Sequence, residues 1–229
     1  MIPGISVIVP AFNAEATLAE TLTSISMQTR PPAEIIVVDD GSTDGTAGLA
    51  TASGLARVLT QKNGGVAAAF NAGIAVARGD FIAFLDADDI WTRECLEMQV
   101  AAILENTSAT AVVGQFEEFI CPSLTSQDAT RFIPRPRQTG WLSGSTLIAR
   151  QVFTAHGPFN DALRQGVWID WFGRARRNGL NVFVHDGLVM RRRLRPGTLG
   201  GNEEALKQDL LKIARASLEL RRGIAGGKG

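Results

Sequence analysis

Short apolar runs rich in β-branched residues recur along the first half of the chain and alternate with segments of helical periodicity. The runs lie at residues 5–9, 34–39, 56–60, 81–85 and 111–116. The segments of helical periodicity lie near residues 18–25 and at 66–77. A short helix is predicted after the second run, with Ser42 or Asp44 as its N-cap, and another is predicted from its cap Thr92 to about residue 105. Strands that are apolar along their whole length need cover on both faces. This order therefore predicts an α/β fold with a mixed, mostly parallel central sheet flanked by helices.

The second half of the chain has a less regular pattern. Residues 122–138 are rich in Pro, Ser, Thr and Arg, which predicts a long loop over the site rather than a linker between domains. Beyond this loop we expect strands at 145–148 and 188–193, a helix at 168–177 and a terminal helix at 202–222. A chain of 229 residues with this pattern predicts a single domain.

Composition and charge narrow the functional classes. The 23 basic residues balance 23 acidic ones, so the net charge predicts no nucleic-acid partner. Cys95 and Cys121 form no CxxC pair and lack nearby histidines, which predicts reduced thiols in a cytoplasmic protein rather than a zinc site. No basic segment precedes the first apolar run, and no apolar run approaches the roughly 18 residues of a spanning helix. We therefore expect a cytoplasmic protein, at most peripheral to a membrane.

Polar residues follow each of the first four predicted strands. They are Asn13, the pair Asp39 and Asp40, Asn63, and the group Asp86, Asp88 and Asp89. In sheets of this kind ligands bind at the carboxyl ends of the strands. The four loops are therefore expected to meet at one site.

The aspartates after the fourth strand predict a metal site. Carboxylates where a buried strand ends are costly unless they bind a cation or cap the next helix, and a hard ion such as Mg²⁺ or Mn²⁺ suits them. Capping before Thr92 is the alternative. After the second strand, Asp39 is placed to accept a hydrogen bond from a base or ribose, and Gly41 with Ser42 would let the backbone approach a ligand. An Asx turn with Asp44 as a cap is the alternative there.

Taken together, these motifs resemble inverting glycosyltransferase family 2, which has the GT-A fold. The resemblance rests on Pro10-Ala-Phe-Asn13 followed by Glu15, on Gln28-Thr29, on the run at 34–46, on Lys62-Asn-Gly-Gly65, on Asn71-Ala-Gly73 and on the run at 79–89. It is dense over about the first 100 residues and thins afterwards. It implies a nucleotide-sugar-binding half at 1–118 and an acceptor-side half with the C-terminal helix at 119–229.

The resemblance also implies roles for single residues. Ala11, Phe12 and Glu15 would line the nucleotide pocket, Asp39 would bond uracil or an equivalent base, and Lys62 with Asn63 would border the donor. Pro10, Asp40, Gly64 and Ala87 are assigned to the same nucleotide-sugar site. Asp86 would face the ribose and the metal, and Asp88 would ligate the Mn²⁺ or Mg²⁺ ion that bridges the phosphates. The acceptor would be a saccharide, a lipid-linked sugar or another hydroxyl compound.

An inverting transfer needs a base near the acceptor hydroxyl. In the family this is an acidic residue, and the segment from Gly157 to Arg174 resembles the family's segment, with Asp170 in the second acidic position and Ile169 in place of the first. Partial desolvation between Trp168 and Trp171 would suit Asp170 to this role. A helix-surface aspartate without a catalytic role is the alternative.

The second departure from the family's pattern is Arg195, which stands where many relatives have a histidine near the diphosphate. A fixed guanidinium charge there would grip phosphate without ligating metal, so ion dependence would be weaker than in relatives. A solvated basic edge formed with Arg191 and Arg193 is the alternative. The same cluster and the terminal helix are candidates for contact with anionic lipid. Trp141 and the loop at 122–138 are expected to shape the acceptor side.

Three other functional classes compete with this interpretation. An aspartate-nucleophile phosphatase also carries a D-x-D after a buried strand, but that class has the pair after its first strand, and no later Lys with an acidic pair is clear here. A dinucleotide dehydrogenase is disfavoured because no GxGxxG follows Val9. A family member that binds nucleotide without turnover remains a non-enzymatic alternative.

Overall fold

The computed structural model describes residues 3–196, 207–211 and 213. Its strands are β1 (Ile5–Ala11), β2 (Glu34–Asp39), β3 (Arg57–Thr60), β4 (Phe81–Phe84), β5 (Ile90–Trp91), β6 (Ala111–Ile120), β7 (Gln138–Thr139), β8 (Thr146–Ala149) and β9 (Val182–Leu194). Its helices are α1 (Leu18–Ser26), α2 (Thr46–Ala52), α3 (Val66–Val76), α4 (Cys95–Glu105), α5 (Ser126–Ala129), α6 (Gln151–His156) and α7 (Val167–Arg177), with a short 3₁₀ helix at Ser143–Ser145.

The strands form a sheet in the order β3-β2-β1-β4-β8-β6-β9-β5, with β7 paired to β6. Strands β1 to β4 pair in parallel, and β6 pairs in parallel with β9. Strand β8 runs antiparallel between β4 and β6, so β6 and β9 point the same way as the first four strands. This arrangement confirms the predicted mixed, mostly parallel sheet. It also joins the first half of the chain to the second through β4 and β8.

Both faces of the sheet are buried, which explains why the central strands are apolar throughout. Alternate side chains of β1 point to opposite faces: Val7 and Val9 pack with α1 and α4, whereas Ile8 packs with α3. The core on the α3 side continues into an aromatic cluster. Phe70, Phe84, Phe153, Phe159, Trp168 and Trp171 belong to it. Helix α7 is held against the sheet by this cluster.

Several boundaries differ from the sequence-based prediction. Thr92 is not a helix cap, because α4 begins at Cys95 and the Thr92 hydroxyl donates to the Leu188 carbonyl at 2.9 Å. The N-cap of α2 is Gly45, although the Asp44 carboxylate does accept the Thr46 N–H at 3.0 Å. Strand β9 begins six residues earlier than predicted, because residues 182–184 pair with β6. The region predicted as loop at 122–138 contains the one-turn helix α5.

The short strands β5 and β7 were not predicted, because two-residue strands carry no periodicity of their own. The six-residue helix α6 was not predicted either. Strand β5 is defined by pairing with Met190 and Arg191 of β9. The predicted terminal helix at 202–222 lies mostly outside the described residues, and the described positions 207–211 and 213 are helical. Among the described residues, no helix is long and apolar enough to cross a membrane.

Candidate donor-binding site

A cavity of about 570 Å³ opens at the carboxyl ends of β1, β2 and β4, a size in the usual range for sites that bind small molecules. Its walls come from the loops after these strands and after β3, from the start of α3, from the segment before α7 and from the end of β9. Nine of the residues proposed from the sequence line it: Pro10, Ala11, Phe12, Asp40, Asn63, Asp86, Ala87, Asp88 and Arg195. The predicted meeting of separate loops at one site is therefore observed.

The loop after β1 is tied to the loop after β2 through Asn13. Asn13 adopts φ 48°, a left-handed conformation that asparagine tolerates better than most residues. Its backbone N–H donates to the Ser42 hydroxyl at 2.9 Å, and its side-chain oxygen accepts the Thr43 N–H at 2.9 Å. This turn leaves the Phe12 ring 49% exposed at the cavity wall. An exposed ring at that position offers a stacking surface for a flat ligand.

Asp40 fixes the loop that leads into α3. Its carboxylate is buried and accepts the Gln61 side-chain amide at 2.7 Å and the backbone N–H groups of Gly64 and Gly65 at 2.8 Å each. A buried carboxylate with three donors is well satisfied. Asp40 therefore sets the position of the first turn of α3 relative to β2.

The first turn of α3 faces the cavity through Gly65, Val66 and Ala69. Gly65 has φ +88°, and a Cβ atom there would lie 3.2 Å from the Arg164 guanidinium. Glycine thus permits both the backbone turn and the approach of Arg164. The unpaired N–H groups of a helix start and a guanidinium together favour an anionic group of a ligand.

The loop after β4 carries the carboxylates predicted to hold a metal ion. Burial, reinforced by the negative charge of Asp88, raises the pKa of Asp86 to about 6 against the opposing effects of Arg192 and the Ser143 hydroxyl. Burial also raises the pKa of Asp89 well above its usual range, and Asp88 and Asp86 add to the effect. Asp89 accepts the Arg193 backbone N–H at 2.8 Å. The loop concentrates negative charge that a cation would stabilise.

Arg193 stabilises the loop after β4. Its guanidinium is almost fully buried, donates to the Asp88 carbonyl at 2.7 Å and pairs with Glu20 of α1. It also lies over the Phe119 ring, 4.8 Å from the centroid. Because its guanidinium is occupied by these partners, Arg193 has a structural role in the cavity lining rather than a role in binding a ligand.

Two neighbouring arginines of the same segment reach the cavity with more exposure. Arg195 Nε lies 3.2 Å from Asp88 Oδ2, and Arg192 Nη1 lies 3.5 Å from Glu118 Oε1. Asp88 thus already has a cationic partner from the protein. The cavity combines guanidinium groups with carboxylates, a set that can bind phosphate directly and through a metal ion.

Five sequence-proposed residues lie outside the described lining of the cavity: Glu15, Asp39, Lys62, Gly64 and Asp170. The Glu15 carboxylate accepts the Gly45 N–H at 3.0 Å and so holds the start of α2. Asp39 is buried behind the wall and accepts the Ser42 N–H at 3.3 Å. Gly64 contributes through its bond to Asp40, and Lys62 is exposed.

Asp170 lies in the first turn of α7 and pairs with Arg174 one turn later, with Nε 2.9 Å from Oδ2. Arg174 also donates to the Pro158 carbonyl at 2.9 Å and to the His156 carbonyl at 3.3 Å. The pair therefore connects α7 to the turn after α6. The structure does not bring this carboxylate to the wall of the donor cavity.

The residues missed in the sequence come mainly from the segment before α7. Arg164 and Gln165 line the cavity, and their backbone N–H groups both donate to Asp209, at 2.9 and 2.8 Å. No local motif marks them, because only a long-range contact brings them to the loops they face. The segment following Gly157 carries an indirect signal, since the residues from Gly157 to Arg174 resemble a segment of the family.

Comparison with known proteins agrees with this geometry. The sequence model of the family described as Glycosyl transferase family 2 matches residues 6–163, well over half of the chain. Over 142 residues the chain is 35% identical to the putative teichuronic acid biosynthesis glycosyltransferase TuaG of Bacillus subtilis, covering 58% of this chain and 54% of that protein. Over 116 residues it is 38% identical to the Escherichia coli UDP-Glc:alpha-D-GlcNAc-diphosphoundecaprenol beta-1,3-glucosyltransferase WfgD, covering 49% and 46%.

A solved structure shares the fold. The structure of S. aureus TarS 1-349 in complex with UDP-GlcNAc superposes with a TM-score of 0.71 at 22% identity, covering 86% of this chain and 61% of that one. This similarity confirms the predicted GT-A fold. The chain spans about half the length of the curated relatives it matches. The family match and the shared fold together establish that the chain belongs to glycosyl transferase family 2.

Proposed function

We propose that this chain transfers a sugar from a UDP-sugar to an acceptor hydroxyl with inversion, assisted by Mn²⁺ or Mg²⁺. The observation that carries the proposal is the cavity in which the loops after β1, β2 and β4 face Arg164, Arg192 and Arg195. The lining includes the Phe12 ring, which can stack on a base, and guanidinium groups, which can bind a diphosphate. The UDP and UDP-GlcNAc complexes of TarS support a uridine nucleotide as the first choice.

The residues present fit a divalent ion that is shared with the ligand. Asp86 and Asp88 supply hard oxygen donors from one loop, and the described residues contain no group of three or more side chains that would hold an ion alone. One or two carboxylates with substrate phosphates are the usual arrangement for Mg²⁺. When bound there, the ion would neutralise charge on the leaving diphosphate. The ion would share the Asp88 carboxylate with Arg195, which pairs with Oδ2.

The protein's own groups would share the remaining work. Arg192 and Arg195 would stabilise the developing charge on the diphosphate, and Asp40 would keep the α3 start aimed at the same group. A base removes the proton of the acceptor hydroxyl while its oxygen attacks the anomeric carbon, and the bond to UDP breaks on the opposite face. Asp170 stays our prediction for that base. Its carboxylate lies in the first turn of α7, 2.9 Å from Arg174 Nε.

Calorimetric titration with UDP, and then with GDP, tests the donor site, each in Mn²⁺ and again in EDTA. We expect UDP to bind, more tightly with Mn²⁺, and GDP to bind more weakly. Absence of binding by either nucleotide would remove the proposal. Binding without UDP release from UDP-Glc or UDP-GlcNAc would instead favour the family member that binds nucleotide without turnover.

A lipid-linked acceptor at the inner face of the membrane is a further part of the proposal. The name of the E. coli relative describes a diphosphoundecaprenol-linked substrate. The exposed Arg191, which pairs with Glu117, lies next to the cavity residue Arg192. Cosedimentation with anionic vesicles, compared with neutral vesicles, tests this contact. Equal recovery in the supernatant with both would exclude it under those conditions.

A further inference from the structure

One aromatic side chain is held in place without being covered. All four tryptophans lie in the described part of the chain; Trp91, Trp168 and Trp171 are buried, whereas Trp141 is 45% exposed. Its ring packs against Phe172, 5.1 Å between centroids at 59°, and the Arg176 guanidinium lies 5.9 Å from it. An indole that is fixed on one side and open on the other is a typical recognition surface.

The segment around Trp141 leads directly to the donor cavity. The preceding Gly140 fits tightly against Phe116, where a Cβ would come within 2.2 Å of the ring. Two residues after Trp141, the Ser143 hydroxyl lies 3.5 Å from Asp86 Oδ1, and Asp86 is part of the cavity wall. The indole is thus anchored close to the carboxylate that is expected to face the donor.

Helix α7 also connects the cavity with the indole. Gln165 lines the cavity just before α7, and Ile169 follows with 52% exposure. Ile169, Phe172 and Arg176 are spaced by three and four residues, so they share one face of the helix. Trp141 packs on this face at Phe172 and Arg176. The exposed apolar surface therefore begins near the cavity mouth and ends at the indole.

We propose that Trp141, together with Ile169, is the acceptor subsite, and that its indole stacks on the apolar C–H face of an acceptor sugar ring. This inference rests on the proposed function, because a transferase must hold the acceptor hydroxyl next to the donor. The surface is one indole and one isoleucine, with Arg176 next to the indole, which suits a ring with both an apolar face and hydroxyl groups better than a purely apolar partner. Continuity with the donor cavity favours the acceptor over an unrelated ligand.

Intrinsic fluorescence provides a direct test because Trp141 is the exposed one of the four tryptophans. Acrylamide quenching is measured with UDP and Mn²⁺ present, while methyl glycosides of glucose, galactose, mannose, N-acetylglucosamine and N-acetylgalactosamine are titrated. At least one glycoside is expected to reduce the quenching constant about twofold by covering half of the open indole surface. If none protects the indole, the proposal is overturned.

Variants separate stacking from a structural effect. Trp141→Ala should weaken binding of the protecting glycoside about tenfold, measured by calorimetry, and Trp141→Phe should recover most of it. Leu55→Ala is the matched control, since Leu55 is 42% exposed in a different part of the surface and should leave glycoside binding unchanged. Unchanged glycoside binding by Trp141→Ala would overturn the proposal. UDP titration of the same samples distinguishes the acceptor subsite from the proposed function. If the unmodified protein does not bind UDP, the proposed function is contradicted instead.

Discussion

Arg195 Nε lies 3.2 Å from Asp88 Oδ2, so a guanidinium of the protein occupies one side of the carboxylate expected to ligate a divalent ion. Both groups line the donor cavity. A fixed cation beside this carboxylate can bind a phosphate, and it also competes with a metal ion for the negative charge of the carboxylate. The pair therefore links nucleotide affinity to metal dependence.

We predict that Arg195→Ala weakens UDP binding about tenfold in EDTA and much less in Mn²⁺, because one charge-assisted hydrogen bond is lost while Asp88 becomes free for the ion. The measurement is calorimetry of UDP under both conditions. Arg195→Lys keeps the charge without the planar guanidinium, so its UDP affinity should lie between those of the unmodified protein and Arg195→Ala. Equal weakening with and without Mn²⁺ would show that Arg195 does not compete with the ion.

Asp40→Ala should destabilise the protein and weaken UDP binding together. The change leaves the Gln61 amide and the N–H groups of Gly64 and Gly65 without their acceptor, which should cost about 2–4 kcal/mol and lower the Tm by about 5–10 °C. Thermal unfolding measures the first effect and calorimetry the second. Asp161→Asn, at an exposed position, is the control and should change neither quantity. A stable Asp40→Ala protein would contradict the anchoring role.

The part of the site formed by the first half of the chain was predictable because each strand and the loop after it are adjacent in sequence. Asp40, Asn63 and Asp88 follow apolar runs that predict strands from the local sequence alone. Parallel pairing then brings the strand ends together. The GT-A fold followed from the same local motifs.

The remainder depends on contacts that no local pattern records. Arg164 reaches Gly65 only because α7 packs on the sheet through Trp168 and Trp171. Strand β5 is a strand because β9 lies beside it, and the early start of β9 depends likewise on β6. The Asp170–Arg174 pair, by contrast, has the i,i+4 spacing of a helical ion pair and was accessible to sequence reasoning.

The raised pKa of Asp86 predicts a pH-dependent gain in stability for Asp86→Asn. The folded protein holds this carboxyl at a pKa of about 6, above the unfolded value near 3.8, so its contribution becomes unfavourable as the pH rises through this window. At pH 7.5 the amide should raise the Tm of the metal-free protein by about 2–6 °C, and at pH 4 by much less. Melting curves in EDTA at both pH values test this.

Asp161→Asn again serves as the control for Asp86→Asn, because it removes a carboxylate at an exposed position. The gain should also shrink when Mn²⁺ and UDP are added, since a bound cation would stabilise the ionised form of Asp86. A Tm gain of the same size at pH 4 and pH 7.5 would assign the effect to packing rather than to charge.

Asp170→Asn is the decisive change for the predicted base. If the carboxylate takes the acceptor proton, the amide should abolish UDP release from UDP-Glc and UDP-GlcNAc while UDP affinity stays within about twofold, because Asp170 lies outside the cavity lining in the described structure. Arg174→Lys keeps a cationic partner for Asp170 and should retain turnover. Retained turnover in Asp170→Asn, with a Tm lowered by the broken pair, would instead make Asp170 a positioning residue that holds α7 to the turn at Pro158 through Arg174.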